Sequence, residues 1–526
     1  MMKNFKFFIV LFLIFFQIIE SQNLLLSSKE NIYDKELNSI KRGKINSYQS
    51  LRYLYEWNNN KTKNDLLISE LGKEFLRNQR FKIFPEINFK STLNGGFIEQ
   101  KNKFLDFYPR IIFLTKYNFT KSRKFSILFW SSLEKHSLIS NKNFSLYKHL
   151  GRPVIDKDFS SYQAVGYTDF SGDDFSWIEY RIGDGGILLN YPGGDISFSK
   201  NLPIWSSGYN GQLWLSEKPT TFPFLSIRHN ISNNWSFSYL HGSLNSNIRD
   251  SSFATYYDSP LPMIPKKISV HRLDFFPTQN IRLSIGESII YAARNFEMNY
   301  SIPFLPFWTA QSDLSNSDNL QLIFDGEYIK KKIGRIYGTL FVDEWDFVDT
   351  FNKKKNRNWF AFLIGSSLKL KSNSNFNPII RFEFSRISPY VYIHKSSINN
   401  FTHHGMTLGH WSGSNSQNIF FSYEGKLKKK LWMQIYFSYA ERGEVNDYTI
   451  NTQYNHEKVS FLYKEYEGNP ENRIVYGIRG NLNLVSNIRL NFNFFKSDWE
   501  NHIDYDNNKR KNTFKIDSII NISIGL

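Results

Sequence analysis

The sequence predicts an all-β transmembrane barrel of the outer-membrane type, preceded by a short helical segment. Three observations carry that prediction. The first residues read as an export signal. The composition is aromatic-rich yet mildly polar. From about residue 85 to the end, apolar and polar residues alternate.

Lys3 and Lys6 precede a run from Phe7 to Ile19 that is apolar except for Gln17. A helix needs roughly 20 such residues to cross a bilayer, so this run is too short to span one. It fits a secretory signal peptide covering residues 1–21, with Ile19-Glu20-Ser21 as the cleavage site. The alternative is a core helix at the extreme N-terminus. There is no cysteine, which excludes a lipoprotein anchor and disulfides. The expected location is the outer membrane of a Gram-negative-type cell.

Aromatic residues make up 17% of the chain, as 49 Phe, 30 Tyr and 12 Trp, yet mean hydropathy is −0.43. No second long apolar run follows, so no membrane-spanning helix is expected. A membrane barrel reconciles these figures, because only alternate strand residues face lipid and Tyr and Trp mark the interfaces. A secreted soluble β-protein is the plainer alternative. The chain carries 65 basic and 48 acidic residues, a formal +17, and loss of Lys3, Lys6 and Glu20 leaves 63 against 47, or +16. That balance favours acidic partners such as anionic polysaccharide or lipid head groups. Nucleic acid, the usual partner of a basic chain, is not expected for an exported protein. Lysines such as Lys353-Lys354-Lys355 read as solvated loop residues.

Residues 22–84 form the expected helical segment, a plug or lid on the periplasmic side. Tyr33, Leu37 and Ile40 share one face before Gly43 interrupts. Ser47 can cap a second helix carrying Leu51, Leu54 and Tyr55, and Leu67, Leu71 and Phe75 form a third stripe.

Residues 85–526 form the expected barrel. In Ile488-Arg489-Leu490-Asn491-Phe492-Asn493-Phe494 the apolar set lies on one face and the polar set on the other. Ile380, Phe382 and Phe384 alternate with Arg381, Glu383 and Ser385, and Leu431 to Tyr439 behaves alike. At the C-terminus Ile520, Ile522, Ile524 and Leu526 share a face, a pattern that fits barrel closure. Strands of about 10 residues give about 16 to 18 of them, wide enough to need either a plug or an open lumen.

Ser284 to Trp308, SIGESIIYAARNFEMNYSIPFLPFW, breaks the pattern. Ile281, Leu283 and Ile285 set the lipid-facing phase, and Glu287 falls in it. A charge at the bilayer midplane costs roughly 2–4 kcal/mol for Arg or Lys and somewhat less for Glu, falling to about 0–1 at the interface. Either the strand leaves the membrane by Glu287, or a bulge at Gly286 turns the register inward. Pro303 and Pro306 exclude a central strand, so Asn299 to Trp308 is expected to be a loop. Glu287, Arg294, Glu297, Tyr300 and Trp308 together suit polysaccharide, with rings stacking on C–H faces and charges meeting hydroxyls or uronates. A loop folded over the lumen for packing is the bland alternative.

HRLDFFPTQNIRLSIGESIIYAARNFEMNYSIPFLPFW, followed by SDNLQLIFDGEYI and YGTLFVDEWDF, resembles the central segment of the capsule assembly protein Wzi family. YRIGDGGILLNYPG and SRISPYVYIHKSSINNFTHHGMTLGHWSGSNSQNIFFSYEG resemble two further blocks, and the helical segment has the right place. The resemblance covers most of the chain after the signal peptide. It implies about 18 antiparallel strands and a small N-terminal helical bundle on the periplasmic side. It also implies a lectin-like role in attaching capsular or related polysaccharide to the cell surface; a non-catalytic monomer in outer-membrane lipid is expected, with an acidic polymer as partner on the charge balance. No sugar-contacting residue is carried over from the family.

Other chemistry finds little support. His403-His404-Gly405 with His410 lacks the helical spacing of zinc sites and reads as a glycine-rich surface loop. Gly183, Gly185 and Gly186 in RIGDGG resemble a phosphate loop, but no helical pattern follows, so a turn is expected. There is no G-x-S-x-G elbow. His229, His241 and His271 could meet across a barrel as in a hydrolase, but nothing selects such a set. No catalytic residue, metal or cofactor is expected. The main alternative function is a porin or solute channel.

Overall fold

The computed structural model describes residues 29–45, 82–95, 102–118, 125–140, 168–170, 177–252, 262–345, 358–371, 376–427, 430–443, 470–485, 488–504 and 509–525. The signal peptide, the second and third helical stripes and Leu526 lie outside these residues.

Among the described residues, one helix, α1 (Lys29–Arg42), precedes the sheet. The first strands are β1 (Lys82–Gly95), β2 (Asn102–Asn118), β3 (Ser126–Ser140), the short β4 (Thr168–Phe170), β5 (Trp177–Tyr191) and β6 (Gly194–Asn201). Then come β7 (Phe222–Asn230), β8 (Trp235–Arg249), β9 (Met263–Thr278) and β10 (Ile281–Ala292). After a helix α2 (Phe307–Asp313) follow β11 (Asn319–Lys330), β12 (Gly334–Glu344), β13 (Trp359–Lys369) and β14 (Ile379–Ile387). A small hairpin, β15 (Thr402–His403) and β16 (Met406–Thr407), precedes β17 (Ser416–Leu427) and β18 (Leu431–Arg442). The last strands are β19 (Glu471–Val485), β20 (Ile488–Asp504) and β21 (Lys509–Gly525).

All but the β15–β16 hairpin belong to one 19-stranded sheet, antiparallel at every pairing between described neighbours. β4 is three residues beside β5. The other 18 follow one another in chain order, and β1 pairs with β2 on one side and with β21 on the other. The connections at one end include tight turns, such as 279–280 and 331–333, and those at the other include long ones, such as 202–221 and 388–415.

The alternation in the sequence has an inverted meaning in space. On β14, Arg381 and Glu383 are each 1% exposed while Phe382 is 44% exposed. On β10, Leu283 and Ile285 are about half exposed, whereas Arg282 and Ser284 are buried. Charged residues point to an inner face and apolar ones outward, the reverse of a sandwich.

The expected α1 stripe forms. Tyr33, Leu37 and Ile40 are buried against Ile329, Ile379 and Trp432 of the inner face. Gly43 ends the helix in the left-handed region (φ +69°), where a Cβ would lie 2.6 Å from the Cβ of Lys331. The Ile40 carbonyl accepts from Lys332 N (2.7 Å), and Ile45 N donates to Gln279 O (2.8 Å). These contacts place the helix at the tight-turn end.

Three expectations are corrected. The RIGDGG glycines make no turn: β5 runs through them, because Gly186 passes β6 so closely that a Cβ would lie 2.3 Å from the Cβ of Ser199. Nor does β10 bulge at Gly286. It continues to Ala292, with Gly286 and Glu287 in regular register on β9 and β11. The His403–His410 stretch is not a surface loop either, since His403 and His410 are buried.

Candidate functional site

Two segments between strands lie against the inner face, and the charges of that face are satisfied by them and by α1. The β6–β7 connection, residues 202–221, is buried almost throughout. Its sequence LPIWSSGYNGQLWLSEKPTT lacks period-two alternation and is too aromatic for a solvated loop. Glu383 accepts the backbone N–H groups of Tyr209 (2.6 Å), Asn210 (2.9 Å) and Gly211 (3.2 Å), and the hydroxyl of Tyr337 (2.7 Å). Asp325 holds Ser207, and Trp214 Nε1 donates to Ser288 Oγ (3.1 Å). The β14–β17 connection, residues 388–415, packs beside it. The Tyr392 hydroxyl donates to Leu213 O (2.7 Å), and Ser216 N donates to Leu408 O (2.8 Å).

From the tight-turn end α1 contributes carboxylates. Glu36 pairs with Arg381 and Arg335 and accepts from Ser367 Oγ (2.6 Å). Glu30 and Asp34 each lie 2.7 Å from Lys426 Nζ. Along the wall Arg282 meets Asp325, Glu327 and Asp274, and Arg335 meets Glu327. Bringing a buried guanidinium out of water is costly unless carboxylates surround it, and here each is so surrounded. The segments that cover the inner face are therefore bound by charge as well as packing.

The five residues nominated from sequence belong to a different place. The β10–β11 connection folds down the outer face, over β8, β9 and β10. It contains a 3-10 turn at Asn299–Ser301 and α2, so the expected loop is partly helical. Arg294 pairs with Asp318 and lies 3.8 Å from Glu297. The Tyr300 hydroxyl donates to Asp318 (2.7 Å), and its carbonyl accepts from the Tyr239 hydroxyl (3.0 Å). Glu297 accepts from Asn299 N (3.2 Å). Glu287 stays in the outward phase but is covered: it accepts Phe307 N (2.7 Å) and faces His271 Nε2 (3.2 Å). Trp308 stands apart, 58% exposed. The structure thus brings Glu287, Arg294, Glu297 and Tyr300 into one loop unit and leaves Trp308 at its surface.

The histidines do not converge. His241 and His271 lie on the outer face under this loop, while His229 contacts Tyr191 at the tight-turn end. His403 Nδ1 accepts from Asn245 N (2.9 Å), and His410 sits between Ser412 (2.7 Å) and Ser385 (3.3 Å). Burial lowers the His410 pKa to about 3. Among the described residues no group of three His, Asp or Glu is arranged to hold a metal, and no helix is long and apolar enough to cross a membrane.

No family model matches the chain. No curated protein matches it in sequence. OccAB4 of Acinetobacter baumannii and OpdK of Pseudomonas aeruginosa, the latter solved with vanillate, are distant likenesses. Each has 8% identity over 85% of this chain and 99% and 98% of theirs, with TM-scores of 0.42 and 0.45, too low to carry a conclusion. Wzi of Escherichia coli is described as an outer-membrane protein involved in group 1 capsule assembly and a carbohydrate-binding β-barrel. It matches at 12% identity over 89% of both chains, with a TM-score of 0.50. At that identity the likeness is one of fold, and the chain shares the fold of that β-barrel.

Proposed function

We propose that the chain is an exported outer-membrane barrel, closed by the β1–β21 pairing, that retains surface polysaccharide without chemical turnover. The α1 end faces the periplasm and the long connections face outward. The observation that carries this reading is the covering of the inner face of β6 to β18 by α1 and residues 202–221 and 388–415, through buried ion pairs and hydrogen bonds. A solute channel needs a wet path, and this packing opposes one. The fold likeness to a carbohydrate-binding barrel, the sequence resemblance and the cationic balance point to an acidic polymer as partner.

In this reading Glu287, Glu297 and Tyr300 hold the outer loop in shape. Arg294, its side chain 31% exposed near the long-loop end, keeps charge where a polymer passes. An exposed charge contact contributes on the order of 1 kcal/mol, so retention comes from many weak contacts along one chain. The test compares cells with and without the protein. Loss of the protein should move polysaccharide from the cell-bound to the released fraction without lowering the total. Unchanged partition, together with lost uptake of a small solute, would overturn the reading in favour of a channel.

A further inference from the structure

The outer loop has the distribution of an element built for lipid. From Met298 to Ala310 the exposed residues are all apolar, among them Met298 (68%), Ile302 (50%), Phe304 (69%) and Trp308 (58%), while the exposed polar residues Asn295 and Asp313 lie outside that stretch. Beneath them lie Glu287 on His271 and the buried rings of Tyr291, Tyr300 and Phe307. A loop bathed in water has the opposite arrangement.

Depth gives the same answer. Trp235 stacks on Phe275 at 4.4 Å next to the tight turns, an aromatic pair of the kind that marks a membrane interface. Phe275 pairs with Leu283, and Glu287 lies four residues further along β10. A tilted strand climbs roughly 2.5 Å per residue, so Phe307 over Glu287 sits about 10 Å above that belt, inside an apolar band about 25 Å tall. Phe304 stacks on Phe237 at 4.2 Å, one outward position above Trp235, and is deeper still.

Irregular backbone at that depth must have its polar groups met within the protein, and here many are. Pro303 and Pro306 have no N–H to satisfy. Phe307 N donates to Glu287, Leu305 N to Ile302 O (3.2 Å), and Thr309 N and Ala310 N to Pro306 O (3.2 and 3.3 Å). The Tyr300 carbonyl takes the Tyr239 hydroxyl, and the Pro303 carbonyl faces His271 Nδ1 at 3.1 Å. The prolines and the outward-phase carboxylate, incompatible with a bare strand, become complementary once the loop covers the strand.

We propose that Met298 to Ala310 is embedded in the bilayer, with Met298, Ile302, Phe304 and Trp308 in contact with lipid acyl chains. This rests on the barrel reading above, and the test separates the two. The chain has no cysteine, so single cysteines can carry a nitroxide at Phe304→Cys and Trp308→Cys, with Leu283→Cys on the bare strand and Ser251→Cys at the long-loop end as references. Each labelled full-length protein is placed in phosphatidylcholine vesicles after heat-modifiable mobility confirms folding. Collision with oxygen and with a water-soluble nickel chelate is then measured. Positions 304 and 308 should follow 283, shifted toward oxygen, while 251 follows nickel. Nickel access at 304 and 308 with oxygen preference at 283 overturns this proposal alone. Nickel access at 283 as well overturns the barrel reading. Broadening between labels on different molecules, lost on dilution with unlabelled protein, would show that a second copy covers the patch and would also overturn it.

Discussion

Inside the sheet the carboxylate of Glu36 on α1 meets the guanidinium of Arg381 on β14, two side chains 5% and 1% exposed. Glu424 takes the other side of Arg381, and Arg335 and Ser367 share Glu36. Removing one partner of a buried pair leaves the other uncompensated and costs roughly 3–5 kcal/mol. Glu36→Ala is expected to detach α1 while the sheet, whose pairings do not involve it, persists. Limited proteolysis should cut within residues 29–45 of the variant and spare the wild type, with heat-modifiable mobility unchanged. Equal protection of both would show that the Tyr33, Leu37 and Ile40 stripe holds the helix alone.

Glu383 anchors the inner 202–221 segment through three backbone donors and a hydroxyl. Glutamine offers one acceptor oxygen and turns an amide toward the remaining donors. Hydrogen bonds to a charged group are worth about 1.5–3 kcal/mol each and neutral ones about 1. Glu383→Gln should therefore lower the urea midpoint of the folded form by several times more than Tyr337→Phe does. Equal midpoints for the two variants would mean that packing of Tyr209 and Trp214, not the carboxylate, fixes the segment.

The sheet was legible because an apolar outer face and a polar inner face impose a period of two, and α1 because Tyr33, Leu37 and Ile40 recur at helical spacing. The covered interior was not. Leu202 to Thr221 has no periodicity, and its fit depends on Asp325, Glu383 and Ser288, which are distant in sequence. Its one local signal was two Trp and a Tyr in a connection that solvent would not favour. Glu287 was recognised as misplaced on a lipid-facing strand. Its remedy, a loop returning over the outer face to supply Phe307 N beside His271 of β9, is a tertiary contact that no local pattern announces. RIGDGG misled because glycines needed for close strand approach look like glycines needed for a turn.

The 388–415 connection carries a pH dependence of known sign. Burial lowers His410 to about 3 and His394 to about 4, against about 6.5 in an unfolded chain. Below about 6.5 the unfolded state takes up protons that the folded state refuses. The stabilisation from these two residues is therefore full above that pH and is lost as pH falls toward the folded values. Carboxylates titrate in the same window, so the informative quantity is a difference. Replacing His410 by Gln should flatten the fall of the urea midpoint between about pH 6.5 and 4. Parallel profiles for the two proteins would remove His410 from the account.

Arg294 is the nominated side chain that this account leaves in reach of polymer. Arg294→Ala should keep a folded barrel, because the pair with Asp318 is partly exposed, and should release more polysaccharide into the medium. The expected change is partial, since one exposed contact is worth on the order of 1 kcal/mol. Unaltered release would place the polymer contacts on other connections.

Single-channel recording tests most directly whether the chain retains polymer rather than passing solute. The full-length protein is inserted in a planar bilayer and compared with Glu36→Ala and Glu383→Gln. No stable ohmic step is expected for the wild type, with conductance that emerges or grows when the inner segments are loosened. A steady open conductance in the wild type, unchanged in both variants, would contradict it.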